Sequence, residues 1–436
     1  MIRTTMRRRD FLLGLGALVL SSRSHAAAPR VNGARLNRRL SDLSQFGRTA
    51  DGGISRVAYS DADLKGREFA MRWMREAGLD VRTDTAGNLL GSRPGTDPDL
   101  PPLMFGSHID SVPDGGNYDG QVGSMAAIEV AHTLEEAGVR TRHPLEVAIF
   151  QNEENGKTGS RAMVGEVTVR DLALSSYTDK TVGEGIAFLG GDPERLDEAR
   201  RGPGSIAAFF ELHVEQGGVL EERGIDVGVV EGIVGIERWN VVIEGFANHG
   251  GTTPMDHRRD PLLTAGRFID LVNQVVTSTP GRQVGTVGRI EAHPGAPNVI
   301  PGRVELSLEI RDLAMDHIER VFARIEREAR GVASRNETSI RFERYYVSRA
   351  APTDEKLREL VQKAARDLGL STLSMPSGAG HDAQSIAQVA PVGMIFIPSA
   401  GGISHSPKEY SRPDDIEAGA NVLLGVVLGA DILAVA

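Results

Sequence analysis

The chain contains no cysteine. Disulfides, thiolate metal sites and cysteine nucleophiles are therefore excluded, and any metal has to be held by His, Asp and Glu. Positive charge is not in excess either. Against 59 Asp and Glu stand 49 Lys and Arg, a formal net charge of −10, which disfavours nucleic acid and anionic membranes because both reward basic patches. A long apolar run is also missing: the opening "FLLGLGALVL" falls well short of the about 20 residues that span a bilayer. The C-terminal "ANVLLGVVLGADILAVA" is broken by glycines and Asp431 and reads as a packed helix. There is no internal repeat and no low-complexity tract. What remains, 436 residues of which 40% are hydrophobic and 25% charged, is a globular chain with length for two domains.

The first residues form a separate unit. "RRRDFLLGLGALVL" sets Arg8 and Arg9 before Phe11 and Leu12, and small residues, "SHAAAP", follow the apolar run. This is the layout of a twin-arginine export signal, cut near Ala26 or Ala28. The expectation is a signal over residues 1–28, export to the periplasm by the route that carries folded proteins, and no stable membrane anchoring.

Further on, short apolar strands alternate with helices. "DADLKGREFAMRWMREAG" is a helix with Ser60 as N-cap and Gly78 closing it. "PLMF" (102–105), "LEVAIF" (145–150) and "VGMIFIP" (392–398) are buried strands, separated by helices such as "GSMAAIEVAHTLEEAGV". That alternation predicts an α/β fold with a mainly parallel sheet covered on both faces, whose ligands gather at the carboxyl ends of the strands. Near residue 232 the texture changes. "RVELSLEIRDL" places Val304, Leu306, Leu308 and Ile310 on one face and Glu305, Ser307, Glu309 and Arg311 on the other, the mark of an antiparallel sheet with one wet side. Residues 233–345 are thus expected to be a smaller α+β domain inserted between two catalytic parts, 29–232 and 346–436. The helix "DPLLTAGRFIDLVNQVV", capped by Asp260, belongs to it.

Four polar clusters follow strand ends. "GSHIDSVPDGGNYDG" (106–120) contains His108, Asp110 and Asp119 among four glycines; "NEEN" holds Glu153 and Glu154; "FFELHVEQGG" holds His213; and "PSAGGISHSPKEY" holds His405. Alone, each is a turn or a buried histidine. Adjacent carboxylates repel unless a cation lies between them or one is protonated. Pooled, the six residues His108, Asp119, Glu153, Glu154, His213 and His405 give each of two divalent ions a histidine and a carboxylate, with one carboxylate shared. One glutamate is left to move a proton. This is the inventory for metal-assisted hydrolysis of an amide-like bond.

Together with "NHGGTTPM", "PNVIPG…RDL" and "SGAGHDA", these motifs occur in an order that resembles the M20-type metallopeptidase superfamily. More closely, they resemble its amidohydrolase branch: N-carbamoyl-L-amino-acid hydrolases, allantoate amidohydrolases and β-ureidopropionases. The resemblance implies a zinc-peptidase-like catalytic domain plus a lid and dimerisation domain. It implies metal ligands His108, Asp119 (bridging), Glu154, His213 and His405, with Glu153 as general base. His249 and His381 would polarise the scissile carbonyl, and Gln216, Asn298, Arg311 and backbone groups near Gly401 would bind substrate, Arg311 taking its carboxylate. Two divalent ions are implied, zinc first and Mn, Co or Ni as substitutes. A homodimer is implied too, in which His249 reaches the site across the interface. A histidine at position 213, where the peptidases carry an acid, points to the amidohydrolases. Their substrates would be N-carbamoyl-L-amino acids or related ureido- and amide-substituted carboxylates; an aminoacylase or small-peptide hydrolase is the alternative, and a non-catalytic periplasmic binding protein the third reading. Three departures stand out: Ile236 where many relatives have Gln, Gly250 where Ala is usual, and the longer "NEENGKTGSR" beside the base. Residues 165–205 yield no mechanistic reading.

Overall fold

The structure, a computed structural model, describes residues 29–433. The export signal read at 1–28 lies outside the described residues. Nine strands make the larger sheet, and its centre is parallel. Leu145–Phe150, Leu103–His108, Ala208–Val214 and Val392–Ile397 lie side by side and point the same way. Antiparallel strands flank them: Leu89–Arg93 and Asp80–Thr83 on one side, Val227–Ile233 on the other. On its far side Val227–Ile233 pairs with Thr372–Ser377 in parallel and with Ala351–Pro352.

Why the central strands read as unbroken apolar runs is visible in their faces. Leu103 and Phe105 join one core, under the helices Asp61–Glu76, Gln121–Glu136 and Pro413–Ile432, whereas Met104 joins Phe150, Phe209 and Phe396 in a core on the opposite side. Both faces are dry, so no alternation survives. The expected caps are present. Ser60 accepts from Asp63 N, Gly78 takes the left-handed conformation (φ 77°) after the helix, and Asp260 accepts from Leu262 N and Leu263 N. Among the described residues no helix is long and apolar enough to cross a membrane.

The second sheet is antiparallel throughout. Gly235–Glu244 pairs on both sides along its length, with Arg303–Asp312 and Ser339–Ser348, and Ile290–His293 and Val284–Thr286 complete five strands. Burial along Arg303–Asp312 alternates residue by residue. Its apolar face meets Pro261–Ser278 and Met315–Arg335 in a core of its own, centred on Trp239 stacked on Phe322 at 4.1 Å. A two-stranded piece, Asn248–His249 with Val299–Ile300, stands apart from this sheet.

Candidate metal centre

The parallel register sets the site. His108 is the last residue of its strand, opposite Phe150, and the chain beyond Phe150 reaches Glu153 three residues later. His213 ends the next strand but one residue, and the loop after Val392–Ile397 carries His405. Four strand ends on one edge therefore deliver the six pooled residues to one place. Gly120 is what lets the first loop close. It has φ 74°, and a Cβ there would stand 2.2 Å from His108 Nε2, so only glycine fits over that ring.

Asp119 is the centre of the cluster. Its Oδ1 lies 3.1 Å from His213 Nε2 and 3.8 Å from His108 Nε2, and its Oδ2 lies 3.0 Å from His405 Nε2. Glu154 stands 3.5 Å from His405 Nε2, and Glu153 3.8 Å from His108 Nε2. Donor atoms of His108, Asp119 and His213 all fall within 4.8 Å of one another, as do those of Asp119, Glu154 and His405. Two donor sets thus share one carboxylate. His213 Nε2 is buried and has no hydrogen-bond partner despite its closeness to Asp119. A lone pair aimed at an oxygen in this way, within an all-oxygen and imidazole set, fits a divalent cation held between them.

The charges are strained as a metal-ready site requires. Burial pushes the Glu153 carboxyl up to about 7. Burial and then Asp119 hold Glu154 well above its usual range. For Asp119 burial works the other way but is outweighed by the imidazoles of His213 and His405, which keep it well below the ordinary carboxylate range. Burial likewise opposes a charge on His108, yet Asp110 and Glu153 raise it well above the usual imidazole range. His381, its ring 4.4 Å from that of His213, is pushed well down by burial and by His213, so it stays neutral. Its Nε2 sits 2.7 Å from Ser377 Oγ.

Of the other residues expected here, Gln216 arrives: its Nε2 donates to Asp119 Oδ2 at 2.6 Å. Arg311 stands on the second sheet and spans to the first, its guanidinium donating to Gly378 O at 2.7 Å and to Glu309 Oε1 at 2.7 Å. Gly401, at φ 64°, has its N–H committed to Glu221 Oε2 at 2.6 Å, which leaves only its carbonyl for a ligand. Among the described residues, His249 and Asn298 make no hydrogen bond or ion pair with the cluster. Both are exposed, His249 on the two-stranded piece and Asn298 in the turn just before its second strand; His249 Nδ1 accepts from Gly251 N and Thr252 N, so the ring's other nitrogen carries the proton.

Sequence reasoning missed the supports. Asp110, outside the six pooled residues, meets His108 Nδ1 with its main-chain carbonyl at 3.1 Å, while its carboxylate accepts the backbone N–H groups of both Glu153 and Glu154, so one residue aligns a histidine and the acidic pair. Glu409 accepts the N–H groups of Tyr118 and Asp119, and the Ser404 hydroxyl lies between the two carboxylates, 2.8 Å from Glu409 Oε2 and 3.2 Å from Asp119 Oδ2. Spacing carried a signal for each: two residues after His108, and four after His405. Partners of this kind orient ligands and fix their basicity.

Known proteins align with this geometry over nearly the whole chain. An N-carbamoyl-L-amino acid amidohydrolase of Geobacillus stearothermophilus is 40% identical over 402 residues, 91% of this chain and 98% of that one. An allantoate amidohydrolase of Bacillus subtilis is 34% identical over 396 residues, 87% of this chain and 93% of that one. An amidase of the hydantoinase/carbamoylase family from Burkholderia multivorans superposes with a TM-score of 0.84 at 36% identity, covering 93% of this chain and 99% of the other. The model of peptidase family M20/M25/M40 matches residues 104–429, a span that takes in His108 at one end and His405 at the other, and the chain belongs to that family.

Proposed function

We propose that the chain is a binuclear metal-dependent amidohydrolase that cleaves the C–N amide bond of N-carbamoyl-L-amino acids or closely related ureido-substituted carboxylates. The observation that carries this reading is Asp119 shared between two donor sets with Glu153 beside them. His108 and His213 would hold one ion and Glu154 and His405 the other. Bound there, two dications would lower the pKa of a water between them and draw electron density from the carbonyl; zinc, Mn, Co and Ni all suit the donors.

The chain's own residues supply the rest. Glu153 takes a proton from the attacking water and returns it to the nitrogen that leaves. His381, neutral at pH 7, offers an N–H toward the carbonyl oxygen, and Arg311 presents a planar fork for the substrate carboxylate. His249, exposed and with no hydrogen bond from Nε2 among the described residues, supports a homodimer in which a second copy completes the site. Relatives' names and the family's carboxylate chemistry support the small-molecule substrate, and the arginine pair at the start supports export to the periplasm.

A panel separates the readings. Protein loaded in turn with Zn, Mn, Co or Ni is given N-carbamoyl-L-amino acids, N-acyl amino acids, dipeptides and allantoate. Release of free amino acid and ammonia from the N-carbamoyl compounds at the highest rate is expected. Faster N-acyl cleavage would make it an aminoacylase, and binding without turnover a solute-binding protein; silence across the panel would overturn the proposal.

A further inference from the structure

The second sheet is joined to the rest of the molecule by two very short crossings. Val234 alone separates Val227–Ile233, in the large sheet, from Gly235–Glu244, in the second. Arg349 and Ala350 alone separate Ser339–Ser348 from Ala351–Pro352 on the return. Any change in the angle of the second sheet has to be absorbed at these positions. One side chain spans both: the buried Gln384 donates from Nε2 to Arg349 O at 2.6 Å and to Val234 O at 3.3 Å. Its other end accepts from the Lys157 ammonium. Two carbonyls on one side and an ammonium on the other leave the amide no alternative orientation.

Both ends of this bridge matter to the site. Gln384 lies in the short helix Asp382–Ile386 directly after His381. Lys157 closes the loop that bears Glu153: its N–H donates to Glu153 O at 2.9 Å, and the loop begins and ends on residues in the left-handed conformation, Asn152 at φ 52° and Lys157 at φ 53°. Neither is glycine, and such backbone persists only where surrounding contacts impose it. Gly380 makes room, since a Cβ there would stand 3.3 Å from Lys157 Nζ. Lys157 belongs to the same loop, "NEENGKTGSR", that carries Glu153 and Glu154.

We infer that Gln384 is a positioning residue whose amide couples the two crossings into the second sheet, through Lys157, to the loop that holds Glu153. The inference rests on the proposed reading of Glu153 as base and Arg311 as carboxylate holder. When the second sheet brings Arg311 toward a substrate, the crossings and the base loop are set by one linkage, so carboxylate binding and base placement report on each other.

The test uses the full metal-loaded chain and a double-mutant cycle. Lys157→Met and Gln384→Met are each expected to lower kcat roughly tenfold, the effect of losing a charge-assisted hydrogen bond. The double variant should be no worse than either single one, because both break the same linkage, and Lys157→Arg should recover most of the rate. Losses that multiply in the double variant would overturn the coupling. A second readout does not need turnover: hydrogen exchange in the Gln384→Met protein should quicken at both 152–158 and the crossings, with metal content retained. Quickening at the crossings alone would refute the linkage even if the wild-type protein hydrolysed nothing in the panel, an outcome that would separately sink the proposed reaction. If Gln384→Met does not fold, Lys157→Met carries the same exchange test, with quickening expected at 233–236 and 348–351.

Discussion

The two sheets solve opposite problems. In the large sheet, functional groups sit at the ends of strands that are dry on both faces, so His108, Asp119 and His213 are buried and fixed by the packing beneath them. Around the second sheet, the residues expected to meet substrate are on the wet side of an alternating strand, as Arg311 is, or exposed on and beside the separate two-stranded piece, as His249 and Asn298 are. Buried neighbouring carboxylates need a cation or a proton between them, whereas a half-buried arginine already paired with Glu309 is at ease before any ligand arrives. One half of the site is therefore complete within a single folded chain. The other half stands apart from the cluster, and in the proposed function a substrate or a second copy would bring it in.

Replacing Glu153 with Gln should sharpen that contrast most. It removes the proton shuttle but no expected ligand, so kcat should fall by about 10² to 10⁴ while metal content by elemental analysis stays unchanged. Equal activity would remove the buried half of the argument. Arg311→Lys tests the other half. A point charge in place of the fork should raise KM roughly tenfold with a smaller change in kcat, and a fall confined to kcat would place Arg311 in the chemistry instead.

The pH dependence of stability separates the halves without substrate. In the metal-free protein Glu153 has its carboxyl raised from 4.5 to about 7 by burial. A carboxyl raised on folding disfavours the folded state once it must ionise, so stability from this group is full below 4.5 and is lost as pH rises to about 7. His108 and His213, both raised, act in the same direction, because the stability they give while protonated is lost as pH rises. Asp119, held low, stays ionised throughout that window. Bound metal replaces those protons. The gap in melting temperature between metal-loaded and metal-free protein should accordingly widen by roughly a few degrees from pH 5 to 7; a gap that narrows would contradict a cation site built on these side chains. The smallest effect is expected at Ile236, which is buried and lies directly across the ladder from Arg311. Ile236→Gln supplies a hydrogen-bonding group beside the guanidinium and should improve allantoate relative to N-carbamoyl amino acids by less than about tenfold, read as a ratio of kcat/KM values.

Much of the buried half was legible in the chain. Parallel strands carry no alternation, and their ends are marked by abrupt polar, glycine-rich loops, so the six clustered residues stood out by position. The supports did not stand out, because Asp110 and Glu409 act by accepting backbone N–H groups, and that work has no composition. In the unread segment 165–205 the signals were local and were overlooked: Thr168 with Asp171 and Thr181 with Glu184 are two capping boxes, each starting a short helix.

By itself the sequence determined periodicity and chemistry: which strands are dry, which face of 303–312 is wet, and that oxygen and imidazole donors must hold any metal because no thiol exists. Tertiary structure alone decided which oxygen meets which nitrogen, and that one amide should span both crossings between the sheets. Periodicity is written in neighbours a few residues apart, but Asp119 lies 286 residues from His405 and Gln384 lies 227 from Lys157. Contacts at such separations arise only when whole layers pack, since no local preference encodes them.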